Sequence, residues 1–320
     1  MKIKRFVQLL MLFVFLTAPY GVAQSQCTPG ISFWKLLDSV RVGYGDGRLS
    51  IDKLYAVCLP MPLKRNGSSY PYEPEGGGKL STIVKTADGK ALNTYVWYAS
   101  SIGGLWEMGN YKVVGGFEAV KPLGPGSYQL EFAIDDKPFY VFTFSVSQMK
   151  NDDPYQAEGQ RYFIEGAWNE YGNIFYQRND PASTLRFTTW LQDKAGHVRK
   201  DSVPSEIKLI RLKDNKVIGA ATDDLRLEPR WRQADFFFAP PDGDKNAYLK
   251  AADLLGEDGR YTVRLSVDGA GYGDYPFIVK GGQIQLQGKQ IREKTDPMYF
   301  IVDYLSGGRY TSWWLKRELK

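Results

Sequence analysis

The sequence predicts an all-β chain: two consecutive β-sandwich domains followed by a C-terminal aromatic β-hairpin. Three observations lead there. Short runs alternate apolar and polar residues, as in Tyr128-Gln-Leu130-Glu-Phe132-Ala-Ile134, Tyr261-Thr-Val263-Arg-Leu265-Ser-Val267 and Ile207-Lys-Leu209. Such alternation puts one set of side chains on one face of a strand. Turn-forming clusters separate the runs: Ala87-Asp88-Gly89, Asp135-Asp136-Lys137, Lys213-Asp-Asn-Lys216 and Glu257-Asp-Gly259. Closely spaced hairpins of this kind suggest a sandwich. Finally, one hairpin unit occurs twice.

The chain opens as a secretory leader. Lys2, Lys4 and Arg5 precede an apolar run, Phe6 to Leu16, broken only by Gln8, and Gly21-Val22-Ala23 supplies small residues for cleavage after Ala23. The rival reading, a retained anchor, needs roughly 20 apolar residues, and this run is shorter. No later stretch is apolar enough to span a bilayer. Residues 1–23 are therefore expected to be a signal peptide, and the remainder to be periplasmic or secreted. Removing Lys2, Lys4 and Arg5 takes the formal net charge from +5 to +2. That near-balance argues against a nucleic-acid binder, which shows a strong basic excess, and against a polybasic membrane surface.

Cys27 and Cys58 are the two cysteines. In an oxidising compartment a disulfide is expected, joining the start of the exported chain to the strand that ends at Cys58. Closing such a loop stabilises by about 3–4 kcal/mol on chain-entropy grounds. The alternative, a metal or redox pair, lacks Cys-x-x-Cys spacing.

The first domain is expected over residues 24–150 and the second over 160–282, with the border at Met149-Lys-Asn-Asp-Asp-Pro154. The best helical segment is short, from Asn246 to Leu255. The duplicated unit runs from Gly126-Ser-Tyr128 to Asp135 and again from Gly259-Arg-Tyr261 to Asp268, 133 positions on. Each copy is followed by a Pro-Phe pair, Pro138-Phe139 and Pro276-Phe277. Two copies at domain-sized spacing indicate two similar domains rather than a solenoid. Two unrelated hairpins with common turn chemistry would show the same residues.

The Gly-x-Tyr-x-apolar-x-apolar pattern resembles the last hairpin of immunoglobulin-like and fibronectin-III-like domains of bacterial exported proteins. The resemblance covers about one hairpin per domain. It implies that Tyr128 and Tyr261 cap corners by hydrogen-bonding to nearby backbone. Leu130 and Val263 stand where antibody-type domains carry their second core cysteine, a departure from true immunoglobulin domains. The resemblance implies a fold and no activity.

Chemical motifs are scarce. A single histidine, His197, lies in a turn-like Asp193-Lys-Ala-Gly-His197 and reads as a solvated loop residue. With one histidine there is no His-x-x-x-His zinc motif. Neither a Gly-x-Ser-x-Gly elbow nor a phosphate-cradling Gly-x-x-x-x-Gly-Lys is present. Nothing singles out a carboxylate pair for glycoside hydrolysis among the 36 acidic residues. Asp242, Asp244, Asn246 and Asp253 match part of a calcium-loop spacing, but Ala247 replaces the turn glycine and Asp253 the bidentate Glu. A polar Pro-Pro-Asp-Gly loop explains the same residues. No metal site and no cofactor are expected.

Aromatic residues make up 14% of the chain. Phe139, Phe142, Phe144, the run Phe236-Phe-Phe238, Trp97 and Trp190 are expected in cores. The tail, residues 283–320, crowds Tyr299, Phe300, Tyr304, Tyr310, Trp313 and Trp314 around a Gly-Gly turn. One face can pack on a domain. The other either packs too or offers a platform to a partner. Tyr299, Tyr304, Tyr310, Trp313 and Trp314 are therefore the candidate binding residues, and deletion from residue 283 is expected to leave the rest folded. The function expected is a non-catalytic exported protein that engages another envelope or secreted protein. Carbohydrate binding through exposed aromatics is the alternative, and a carboxylate-based glycoside hydrolase the third.

Overall fold

The computed structural model describes residues 30–57, 59, 63–64, 73–74, 79–102, 105–150, 160–177, 180, 182–194, 201–241, 247–285 and 310–319. The expected leader, Cys27, Cys58, His197, Asp242, Asp244, Asn246, Tyr299, Phe300 and Tyr304 lie outside them. The described chain is mostly β, in antiparallel sheets of eight, four and five strands and two short hairpins. No described helix is long and apolar enough to cross a membrane.

The eight-stranded sheet has the order β1 (Gly30–Ile31), β4 (Leu54–Val57), β9 (Leu105–Val113), β8 (Ala91–Ile102), β7 (Leu80–Thr86), β10 (Gly126–Ile134), β11 (Lys137–Lys150) and β12 (Gln160–Gly166). One face is covered by helix α1 (Phe33–Ser39) and the hairpin β2 (Val40–Val42)/β3 (Leu49–Ile51). The small hairpin β5 (Leu63–Lys64)/β6 (Glu73–Pro74) completes the unit. Ser32 caps α1 by accepting from the Lys35 amide. Phe33, Leu36 and Leu37 then form an i, i+3, i+4 apolar stripe that is buried against the sheet. Burying each of these three side chains stabilises by about 1.5–3 kcal/mol. Among the described residues, the second layer of this unit is thus a helix and a hairpin, not a second large sheet.

The second unit stacks two sheets. One has the order β17 (Arg232–Phe237), β14 (Arg186–Leu191), β13 (Tyr171–Gln177) and β21 (Tyr310–Lys316). The other has the order β16 (Lys216–Leu225), β15 (Val203–Arg211), β18 (Gly259–Val267), β19 (Ala270–Lys280) and β20 (Gln283–Gln285). Ile174, Phe187, Phe236, Trp313 and Leu315 from the first sheet meet Ile207, Leu209, Val263, Tyr275 and Phe277 from the second in one core. Short helices α2 (Ala167–Glu170) and α3 (Ala251–Leu255) sit at the entry to β13 and before β18. Of the described residues in the Asn246–Leu255 segment, only Ala251–Leu255 are helical.

The repeat extends beyond the hairpin read from sequence. Five strands keep the same neighbours in both units: β8, β7, β10, β11, β12 in one and β16, β15, β18, β19, β20 in the other. Both duplicated hairpins carry a register shift at equivalent places, Phe132/Ala133 and Leu265/Ser266. Both turn through positive φ, at Asp135 and Asp136 (49° and 61°) and at Asp268 and Gly269 (55° and 72°). Turns of that hand match the twist of the strands they join. The Tyr128 hydroxyl donates to the Gly124 carbonyl and the Tyr261 hydroxyl to the Glu257 carbonyl, each at 2.8 Å. Each tyrosine ring also stacks on its cross-strand phenylalanine, Tyr128 on Phe144 and Tyr261 on Phe277.

Two expectations need correction. Residues 160–166, placed at the start of the second domain, form β12 and extend the first sheet beside β11. The tail does not stand apart from the second unit: residues 310–316 form β21, which pairs with β13, while the other arm of the expected hairpin, residues 298–305, lies outside the described residues. The physical reason is the aromatic density. Trp313, Trp314 and Leu315 have somewhere to be buried only if the strand completes a sheet with a core on both faces.

The two units meet at α1. The Trp168 indole donates to the Leu37 carbonyl at 2.7 Å. Trp34 makes ring contacts with Phe175, Trp190 and Trp314 at 5.9, 5.2 and 6.0 Å. Asp38, at the end of α1, accepts from the Trp190 indole at 3.4 Å. Burial pushes the Asp38 carboxyl above its ordinary 3.8, and Lys35, Trp190 and Arg41 offset this only in part. A carboxyl raised in the fold favours the folded state while protonated, so its contribution is fully present below about 3.8 and is lost as pH rises through the folded value. Asp38→Asn keeps the acceptor for Trp190 and removes the buried charge. It should raise the melting temperature at neutral pH, with the gain vanishing in acid. Thermal unfolding of both proteins across pH checks this; a gain that widens in acid would show that the Lys35 pairing outweighs burial.

Candidate functional site

The four-stranded sheet has two unlike faces. Its inner residues pack in the sandwich core. Its outer residues fall in three cross-strand rows. The middle row is Asp235, Thr188, Asn173 and Trp314. The row on one side is Phe237, Arg186, Phe175 and Ser312. Trp190 and Tyr171 lie on the other side and are buried with α1.

The end of this face away from α1 is aromatic and exposed. Phe237 and Tyr248 are 37% and 49% exposed, with ring centroids 5.6 Å apart. The Arg186 guanidinium lies 4.5 Å over Phe237 and 5.9 Å from the Phe175 ring. A guanidinium over an aromatic face is held by the ring quadrupole, so Arg186 is splinted between two rings with its charge at the surface. In the middle row, Thr188 donates to the Asp235 carboxylate, which also accepts from Gln233 Nε2 at 2.8 Å. The carboxylate is therefore held in place by two neutral donors.

The rest of the middle row is different. Asn173 is 1% exposed and Trp314 3% exposed. Asn173 Nδ2 and Oδ1, Trp314 Nε1 and Ser312 Oγ are all buried without a hydrogen-bond partner among the described residues. Trp34 roofs this corner through its contacts with Phe175 and Trp314. The Trp190 and Trp314 rings stack at 5.6 Å beside it.

The predicted site residues are distributed as follows. Tyr128 and Tyr261 hold corners at the ends of their sheets. Trp313, at 8% exposure, is in the sandwich core, and Trp314 is in the core shared with α1. Neither offers an open ring to a partner; of the two arrangements expected for the tail, these two side chains take the buried one. Tyr310 opens β21, and its side chain lies outside the described residues. Asp253 accepts from the Lys250 amide at 2.8 Å and so starts α3. Among the described residues, no group of three His, Cys, Asp or Glu side chains is placed to hold a metal. Of the aromatics assigned to cores, Phe142, Phe144, Trp97, Trp190, Phe236 and Phe238 are buried, while Phe139 is half-buried. Phe237 points outward. Sequence reading missed Phe237, Arg186, Tyr248, Asn173 and Ser312. One signal was present: in three consecutive strand residues the middle one must face away from its neighbours.

No protein-family model matches this chain, and a search of curated proteins finds no similar one.

Proposed function

We propose that this chain is a non-catalytic exported protein that engages another protein of the envelope or the surrounding medium. Its contact surface is the aromatic end of the four-stranded sheet. The observation that carries this reading is the exposed Phe237–Tyr248 pair with Arg186 laid over Phe237. Aromatic and arginine side chains dominate the energetics of protein interfaces. Here they are held by a sheet, so little conformational freedom is lost on docking. The strand arrangement bears on the fold rather than on the role. In the second unit β13, β14 and β17 share one sheet and β15, β16, β18 and β19 the other. That division matches the strand partition of an immunoglobulin-like or fibronectin-III-like sandwich, and Tyr261 sits where such domains place their corner tyrosine. We read the first unit as a relative of that fold, on its shared five-strand order, with α1 in place of most of a second sheet.

The test is affinity capture from an envelope extract on the mature chain and on a Phe237→Ala/Tyr248→Ala double variant. We expect a defined protein band on the wild type and at least a tenfold loss on the variant (~1.4 kcal/mol or more). Equal capture by both proteins, or none by either, sinks the reading.

A further inference from the structure

The four unpartnered polar atoms on β13 and β21 need an explanation. A buried donor or acceptor left unsatisfied costs about 1–3 kcal/mol, and such groups in native structures are paired with protein, water or ligand. Here Asn173 Nδ2 and Oδ1, Ser312 Oγ and Trp314 Nε1 lie side by side: Asn173 opposes Trp314, and Ser312 opposes Phe175 in the next row. Their chemistry narrows what they can hold. Asn173 offers two donors and an acceptor, the indole one donor, and the hydroxyl both. An inorganic cation is disfavoured, because an indole N–H and an amide NH₂ share the corner with only two neutral oxygens. An inorganic anion is disfavoured, because the Asn173 Oδ1 acceptor would face it with lone pairs and stay unsatisfied. A group that both donates and accepts, with an apolar face for Phe175, fits this inventory.

We infer that this corner is a saccharide subsite that takes one pyranose ring. Ring hydroxyls exchange hydrogen bonds with Asn173 and Ser312 and accept from Trp314 Nε1. The C–H face of the sugar rests on the Phe175 ring. Trp34 is half-buried on α1 and is the side chain that must swing to admit the ring. The inference goes beyond the protein-partner reading and uses different atoms, so the two fail separately.

The experiment titrates the full mature chain with cellotetraose, chitotetraose and mannotetraose, followed by calorimetry and tryptophan fluorescence. At least one should bind with a Kd under about 1 mM and shift the emission, because Trp34 and Trp314 border the sugar. Asn173→Leu and, as a smaller change, Ser312→Ala should each weaken that binding at least tenfold without lowering the melting temperature. Binding of none of the three overturns the inference, as does binding that both variants leave unchanged. A stabilised Asn173→Leu, together with a wild-type chain that binds no saccharide, identifies the corner as a buried-water site, which also overturns it. Should Asn173→Leu fail to fold, Ser312→Ala decides alone. Partner capture by a wild-type chain that binds none of the three saccharides removes this inference and leaves the protein-partner reading standing.

Discussion

A chain ending at residue 309 should not fold its second unit. β21 supplies the seven register partners of β13, from Tyr171↔Lys316 to Gln177↔Tyr310. Its side chains serve two cores at once. Trp313 and Leu315 face the sandwich interior, while Trp314 faces α1 and meets Phe33 at 4.7 Å. Removing one large buried side chain costs about 2–5 kcal/mol. Three such losses, with β13 left unpaired along one edge, consume the ~5–15 kcal/mol that stabilises a domain. This reverses the expectation that deletion from residue 283 would cost binding and leave the rest folded, because that expectation treated the tail as an appendage. The measurement is denaturant unfolding of the truncated and full chains. We expect the truncated protein to lose the cooperative transition of the sandwich. The milder Trp314→Ala should retain a transition with a loss of about 3–5 kcal/mol. A truncated chain with the same midpoint and slope as the full chain would show that β21 is dispensable.

Gly172→Val should also be strongly destabilising, for the opposite reason. A Cβ at Gly172 would lie 2.2 Å from Phe187 Cζ, 2.7 Å from Phe187 Cε2 and 3.1 Å from Tyr275 Cε1. Both rings are fully buried and pack edge-to-face at 4.9 Å. The Tyr275 hydroxyl is held 3.1 Å from Thr189 Oγ1, so that ring cannot slide without breaking a buried hydrogen bond. Overpacking of this kind typically costs about 1–3 kcal/mol, and a β-branched side chain between two fixed rings should reach or exceed the upper end. Gly172→Ala should fall between wild type and Gly172→Val. Equilibrium unfolding of the three proteins checks the order. A Gly172→Ala protein as stable as wild type would show that Phe187 has room to rotate away.

The outer face around Asn173 carries a lesson about reading strands. In sequence, Tyr171-Gly-Asn-Ile-Phe175 shows a polar residue between apolar ones, as any half-exposed strand would. Asn173 is buried because β21 and α1 cover it, and they lie more than a hundred residues away in either direction along the chain. Likewise, Arg186, Phe237 and Tyr248 carry no local motif. They form one patch because β14 pairs with β17 and the chain after β17 returns past Phe237.

What the sequence determined by itself was local. Alternation specifies the strands and which side of each faces a core, and the turn residues specify where the hairpins reverse. The Gly-to-Asp repeat specifies that one hairpin is built twice, since its positive-φ turn and its tyrosine corner both depend on residues within a short stretch. The tertiary structure alone decided what covers each sheet. It placed a helix over the first sheet, joined residues 160–166 to that sheet and inserted residues 310–316 beside β13. These outcomes rest on long-range burial, where the free energy belongs to pairs of distant surfaces rather than to any segment. No period or spacing along the chain records which of several apolar faces will meet.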